Sequence, residues 1–133
     1  MGFMDRGSIL IVDDEDFTRD GLAKILTGDG FFVQTACNGE TALLELRKRK
    51  FDLVITDLKM DKIDGIELIR RIKKKDSKQH VIMMTAYGNI DTYLEAINLG
   101  SFDYINKPFT AKELMRIVDK IFERMKTEEF DTT

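Results

Sequence analysis

Four places in the chain carry residue types that can do chemistry together. Asp13 and Asp14 follow an apolar run and lead into Glu15 and Asp16. Asp57 ends a second apolar run, Thr85 a third, and Lys107 follows another after Asn106. Asp57 is the hardest of these to read as surface, because a lone carboxylate carried into an apolar environment is costly. If Asp13, Asp14 and Asp57 converge, three carboxylates repel one another. Either one takes up a proton or a divalent cation neutralises the group. A hard oxygen site with few protein ligands suits Mg²⁺, which keeps waters and takes further oxygens from a phosphate. Lys107 adds a point charge that can hold a phosphate oxygen, and Thr85 adds a hydroxyl donor. Acid cluster, cation, lysine and hydroxyl together make a phosphoryl-transfer site. A carboxylate accepts a phosphoryl group as an acyl phosphate, and Asp57, alone at the end of its run and facing the acidic pair, is the expected acceptor.

The elements that must position these residues follow from periodicity. Five short apolar runs recur, Ile9–Val12, Phe31–Ala36, Leu53–Thr56, Val81–Thr85 and Phe102–Ile105. They are continuous rather than alternating and mostly β-branched or aromatic, as expected of strands buried on both faces of a parallel sheet. Between them lie helical patterns. Phe17, Gly21, Leu22, Ile25 and Leu26 make one face, Ala42, Leu43 and Leu46 a second, and Ile66, Ile69 and Ile72 a third. Leu94, Ile97 and Asn98 lie near a fourth, and Leu114, Val118, Ile121, Phe122 and Met125 make the last. Asp64 to Glu67 and Thr110 to Glu113 read as capping boxes, and Asn38 as an N-cap. Gly28/Gly30 and Gly100 read as stops. Strands alternating with helices imply a doubly wound α/β domain with right-handed crossovers. The expected fold is a flavodoxin-like (βα)5 sheet in strand order 2-1-3-4-5. Ligands of such sheets bind beyond the carboxyl ends of the strands. Strands one and three are neighbours in that order, so Asp13, Asp14 and Asp57 meet in one crevice.

Composition sets the outer limits. At 133 residues, 43% hydrophobic and 34% charged, the chain reads as one globular domain. Twenty-one basic against 24 acidic residues leave a net charge of −3, which argues against non-specific nucleic-acid binding. A single cysteine, Cys37, excludes an internal disulfide, and with His80 as the only histidine there is no transition-metal cluster. No apolar run approaches the ~20 residues of a membrane span, so a cytoplasmic domain is expected. Residues 1–7 read as an N-terminal lead or cloning remnant, 8–126 as the domain, and 127–133 as a flexible acidic tail.

Plainer readings exist for each residue taken singly. Asp13 and Asp14 can cap the first helix, Thr85 can be a strand-end hydroxyl, Lys107 a solvated charge and Tyr104 ordinary packing. Arg47-Lys48-Arg49-Lys50 and Lys73-Lys74-Lys75 fall at helix C-termini, opposite the acidic crevice, and are read as dipole-complementing solvated charge. Met83 and Met84 are expected in the core, and Cys37 as a small buried hydrophobe. The joint pattern favours chemistry.

That pattern resembles the receiver domains of two-component response regulators. The matching residues are Asp13-Asp14 after Ile9–Val12, Asp57 before Leu58-Lys59-Met60, Thr85-Ala86 after Val81–Met84, and Lys107-Pro108. The stretches around Met84–Thr92 and Gly100–Phe109 look most like receivers of sigma-54-dependent transcription activators. The resemblance covers about residues 8–126. It implies that Asp57 takes a phosphoryl group from a histidine kinase or phosphotransfer protein. It implies Mg²⁺ bound by Asp14 and Asp57 directly, by Asp13 through water, and by the backbone carbonyl of Lys59. Lys107 would hold a phosphate oxygen, Thr85 would swing towards another, and Tyr104 would follow it inward. The surface of the fourth helix, fifth strand and fifth helix would then change partners, with a homodimer through that face as one use. Several positions depart from the usual pattern. Asp61 stands in place of a Pro, which loosens the turn and adds a carboxylate. Tyr93 replaces a small residue on the fourth helix and Ser101 an Ala, while Lys59 and Tyr87 would flank the phosphate.

Two other functions compete. Asp14-Glu15-Asp16-Phe17-Thr18 fits the DxDxT pattern of haloacid-dehalogenase-type phosphohydrolases, with Asp14 as nucleophile and Asp16 as acid/base. That family needs a further acidic motif after the lysine, and the reading leaves Asp57 idle. A flavin or nucleotide carrier needs a Gly/Ser/Thr-rich phosphate loop after the first strand, where this chain has four acids. The chain also ends soon after the fifth helix. It is expected to be either a stand-alone regulator or a receiver taken from a longer protein, without direct nucleic-acid or membrane binding of its own.

Overall fold

The computed structural model describes residues 6–131, with side chains as far as residue 128. The outer parts of the expected lead 1–7 and tail 127–133 lie outside the described residues. The order of elements is β1 (Ser8–Val12), α1 (Asp16–Gly28), β2 (Phe32–Ala36), α2 (Gly39–Lys48), β3 (Leu53–Asp57), α3 (Gly65–Lys75), β4 (His80–Thr85), α4 (Ile90–Asn98), β5 (Asp103–Asn106) and α5 (Ala111–Asp131). The strands form one parallel sheet in the order β2-β1-β3-β4-β5. This is the expected flavodoxin-like topology.

Strand residues alternate between two cores, and both cores are apolar, which is why the runs look continuous. Leu10, Val12, Val54, Val81 and Met83 pack with Ala42, Ile69, Ile72 and Ala96, under α2, α3 and α4. Ile9, Ile11, Leu53, Ile55, Ile82 and Met84 pack with Leu22, Leu26, Leu114, Val118 and Ile121, under α1 and α5. Each of these buried Val, Leu, Ile and Met side chains contributes roughly 1.5–3 kcal/mol relative to exposure.

Caps fix where the helices begin. Asn38 Oδ1 accepts from Thr41 N at 2.8 Å, as expected of an N-cap. Thr110 and Glu113 form both halves of a capping box, at 2.8 and 3.0 Å. Asp64 forms only one half, accepting from Glu67 N at 2.9 Å, because the Glu67 carboxylate turns to Arg70 and Arg71. α4 has a capping box that the sequence reading missed, between Asn89 and Thr92. Gly30 and Gly100 turn the chain after α1 and α4 at φ 96° and 104°.

Several expectations need correction. Phe17 does not join the buried face of α1; it is 88% exposed at the start of the helix. Gly21 is exposed as well. Leu94 is 49% exposed, and Ala96 carries the contact of α4 with the core. Cys37 is exposed rather than buried, because it lies one residue past β2 where the chain turns into α2. Described contacts also fall outside residues 8–126. Arg6 pairs with Asp29 and Asp119 and lies over Phe31 at 4.5 Å. At the other end α5 reaches Asp131, inside the expected tail, and Glu128 lies 3.3 Å from His80.

Candidate functional site

β1 and β3 are neighbours with Val12 opposite Thr56, so the residues after them emerge side by side. Asp13, just past β1, is fully buried; Asp57, the last residue of β3, is 8% exposed; Asp14 is exposed. Each of the three offers a carboxylate oxygen within 4.8 Å of the others. The loop after β5 brings in Lys107, whose Nζ lies 3.1 Å from Asp13 Oδ2 and 3.4 Å from Asp57 Oδ1. Its backbone is tied to the end of β4 through Lys107 N donating to Thr85 O at 2.8 Å.

The electrostatics match this crowding. Burial pushes the Asp57 carboxyl up to about 6; Lys107 opposes that rise and the Asp13 charge adds to it. For Lys107, desolvation lowers the value, but Asp57 and Asp13 outweigh it and hold the ammonium above its ordinary range. One lysine charge faces three carboxylates, so the cluster is short of positive charge. The donor set is all oxygen, two of its members are buried and one is open to solvent. Such a set fits a hard divalent cation such as Mg²⁺. Asp13 Oδ1 is also held by Glu15 N at 3.0 Å, and the Asp13 carbonyl by Arg19 at 3.1 Å. The sequence reading passed over Arg19, whose only signal was its place on the first turns of α1.

Thr85 is fully buried at the end of β4, and its Oγ1 accepts from Tyr87 N at 2.9 Å. Tyr104 lies on the neighbouring β5, two residues back along the strand from Thr85's partner: it pairs with Met83, while Thr85 pairs with Asn106. The Tyr104 hydroxyl is 2.8 Å from Thr92 Oγ1, and its ring meets Tyr93 edge-on at 5.5 Å. Thr92 was not anticipated as a partner; its sequence signal was the spacing Asn89-x-x-Thr92. Lys59 is exposed in the loop after β3, with Nζ 5.2 Å from the centre of the Tyr87 ring. Asp61 is exposed and outside the carboxylate group. Asp16 is also outside it; its carboxylate is 82% exposed and bonded to Arg19 at 2.7 Å.

A profile of the response regulator receiver domain matches residues 9–119. The chain belongs to this family. The receiver is 40% identical over 112 residues to regulatory protein AtoC of Escherichia coli, covering 84% of this chain and 24% of that protein. It is 37% identical over 120 residues to nitrogen assimilation regulatory protein NtrX of Azorhizobium caulinodans, covering 89% of this chain and 26% of that protein. Among solved structures, a CheY-like receiver domain protein from Methanospirillum hungatei superposes with a TM-score of 0.89 at 27% identity, covering 92% of this chain and 98% of that one. The receiver thus spans about a quarter of the length of AtoC and NtrX. It is a signalling domain, and the phosphohydrolase reading through Asp14 and Asp16 finds no support in these relatives.

Proposed function

We propose that this receiver is a phosphorylation-activated switch in which Asp57 accepts a phosphoryl group from a phosphohistidine on a histidine kinase or phosphotransfer protein. One observation carries the proposal: Asp57 ends β3 within reach of Asp13, Asp14 and the Lys107 ammonium. An Asp57 carboxylate oxygen forms the new bond to phosphorus. The P–N bond to the donor imidazole breaks, and its electron pair stays on the imidazole nitrogen. Asp14 and Asp57 are the direct Mg²⁺ ligands in this reading, with Asp13 acting through water and the Lys59 backbone carbonyl completing the protein's share. When bound, Mg²⁺ neutralises the carboxylates and draws charge from the transferring phosphoryl oxygens. Lys107 holds a phosphate oxygen, moving only from its present carboxylate partners.

The switch follows from what Thr85 gives up. Its hydroxyl oxygen now accepts from Tyr87 N. Turning to donate to a phosphate oxygen vacates space beside Tyr104, which follows inward and releases Thr92. The exposed face of α4, with Ile90 66% and Leu94 49% exposed, then presents a changed surface with β5 and α5. We assign that surface to an output domain or a homodimer, and place the protein in the cytoplasm as a transcription-regulating receiver. No helix among the described residues is long and apolar enough to cross a membrane.

Beryllofluoride, a stand-in for the phosphoryl group, tests this reading. With Mg²⁺ it should shift the amide resonances of residues 57–59, Thr85 and Tyr104 together with those of α4. Shifts confined to the Asp57 loop, with Tyr104 and α4 unmoved, would overturn the switch.

A further inference from the structure

The two basic runs converge on one groove at the sheet edge opposite the acidic crevice. α2 and α3 lie side by side there and leave a half-open groove of about 460 Å³. Its floor is apolar: Leu43 and Leu46 come from α2 and Ile72 from α3. Its rim is cationic, with Arg47 and Lys50 on one side and Arg71, Lys74 and Lys75 on the other.

The charge there exceeds what the two helix ends need. A helix C-terminus presents roughly half a negative charge, so two ends take up about one cation. Asp76 offsets a second, and Glu67 occupies Arg71 at 3.0 Å. Among the described residues Arg47, Lys50, Lys74 and Lys75 form no ion pair, whereas neighbouring Lys48 reaches Glu45 at 3.5 Å and Lys62 reaches Glu40 at 3.3 Å. About two positive charges therefore remain over an apolar floor. Solvated dipole-complementing charge, the plain reading of each run alone, explains neither the surplus nor the floor.

We propose that the α2–α3 groove is a docking surface for an acidic amphipathic segment of a partner protein. The partner lays one or two aliphatic or aromatic side chains on Leu43, Leu46 and Ile72, and flanks them with carboxylates facing the rim. A groove between two helices suits a helical segment read at i, i+3 and i+4 spacing. The apolar floor decides against a nucleic-acid backbone, which gains nothing from it, and the net charge of −3 decides the same way. The surface is separate from the phosphoryl chemistry, since Asp57 stands at the carboxyl end of the central strand β3, whereas the groove lies at the C-terminal ends of α2 and α3.

The test uses the whole chain and a synthetic helical peptide of leucine and glutamate with the leucines on one face. Two control probes are the same peptide with lysine for glutamate and a single-stranded oligonucleotide. The acidic peptide should produce saturable amide shifts along the C-terminal halves of α2 and α3. The double variant R47E/K74E changes two exposed side chains, and should weaken binding at least about fivefold while leaving phosphoryl acceptance at Asp57 unchanged. Both residues stand in the last turn of their helices, so a modest fall in the thermal midpoint is expected and binding is compared well below it. Raising the salt concentration should weaken it as well. Absent or non-saturating shifts overturn the proposal. So do shifts centred on Ile90 and Leu94 of α4, or oligonucleotide binding in the groove as tight as that of the acidic peptide.

Discussion

Lys107 Nζ lies 3.1 Å from Asp13 Oδ2, joining a fully buried carboxylate to a lysine 94 residues away in sequence. The same nitrogen lies 3.4 Å from Asp57. This one cation is what keeps two buried carboxylates tolerable side by side without a metal. Removing one partner of a buried pair leaves the other charge uncompensated. Lys107→Met should therefore lower the stability of the metal-free protein by on the order of 2 kcal/mol, read by urea denaturation. Added Mg²⁺ should recover part of the loss, because it supplies the missing positive charge. A loss that Mg²⁺ leaves untouched would mean the lysine acts through packing alone.

Asp57 sets a pH dependence of its own. Its folded value of about 6 lies above its ordinary 3.8, chiefly through burial. A carboxyl raised on folding penalises the fold when ionised. The penalty is full above about pH 6 and gone below about pH 4. Asp57→Asn removes it, so the variant should exceed wild type in metal-free stability at about pH 8, by on the order of 2 kcal/mol. The gap should close as pH falls through 6 towards 4. Mg²⁺ at about pH 8 should stabilise wild type and leave Asp57→Asn nearly unmoved. Denaturation midpoints across pH, with and without Mg²⁺, check both halves.

Thr92 joins Tyr104 to the start of α4. Its hydroxyl is 2.8 Å from the Tyr104 hydroxyl, and it is also the third helical residue of the Asn89 capping box. Thr92→Val should cost about 1–2 kcal/mol through cap and bond together. Tyr104→Phe should cost less, about 0.5–1 kcal/mol, since only the bond is lost. The double variant should show a coupling of about 0.5 kcal/mol or more. Hydrogen exchange should place the loss in the first turn of α4, and additive effects would count against the link.

Gly65 leaves no room for a side chain. A Cβ there would stand 2.3 Å from the Asp57 carbonyl oxygen and 2.9 Å from both Leu58 Cα and Met83 Sδ. The first two contacts are backbone, so the strand end must shift. Gly65→Ala should destabilise by about 1–3 kcal/mol and slow phosphoryl acceptance at Asp57, measured as the rate of acyl-phosphate formation. Gly28, with nothing within 4 Å of its added Cβ, is the control and should tolerate Ala at that site.

Much of this was legible in the sequence because it depends on local pattern. Continuous runs such as Leu53–Thr56 announce strands buried on both faces, and five strand–helix repeats leave few topologies. Once β1 and β3 are neighbours, Asp13, Asp14 and Asp57 must meet, and Lys107 follows from the end of β5. What escaped depends on packing between elements. Phe17 fits the apolar period of α1, yet its place at the helix start puts it beyond the sheet. Cys37 has a buried-type side chain, but lies just past a strand end. The Thr92–Tyr104 bond and the convergence of the two basic runs need the spacing of α4 against β5 and of α2 against α3, which no local pattern encodes.

The central claim is that Asp57 is the phosphoryl acceptor. Intact mass after incubation with Mg²⁺ and acetyl phosphate tests it most directly, for wild type beside Asp57→Asn and Asp14→Asn. Wild type should gain the mass of one phosphoryl group, Asp57→Asn none, and Asp14→Asn little because a metal ligand is lost. A label that persists in Asp57→Asn, or a wild-type protein that takes up none, would contradict the account.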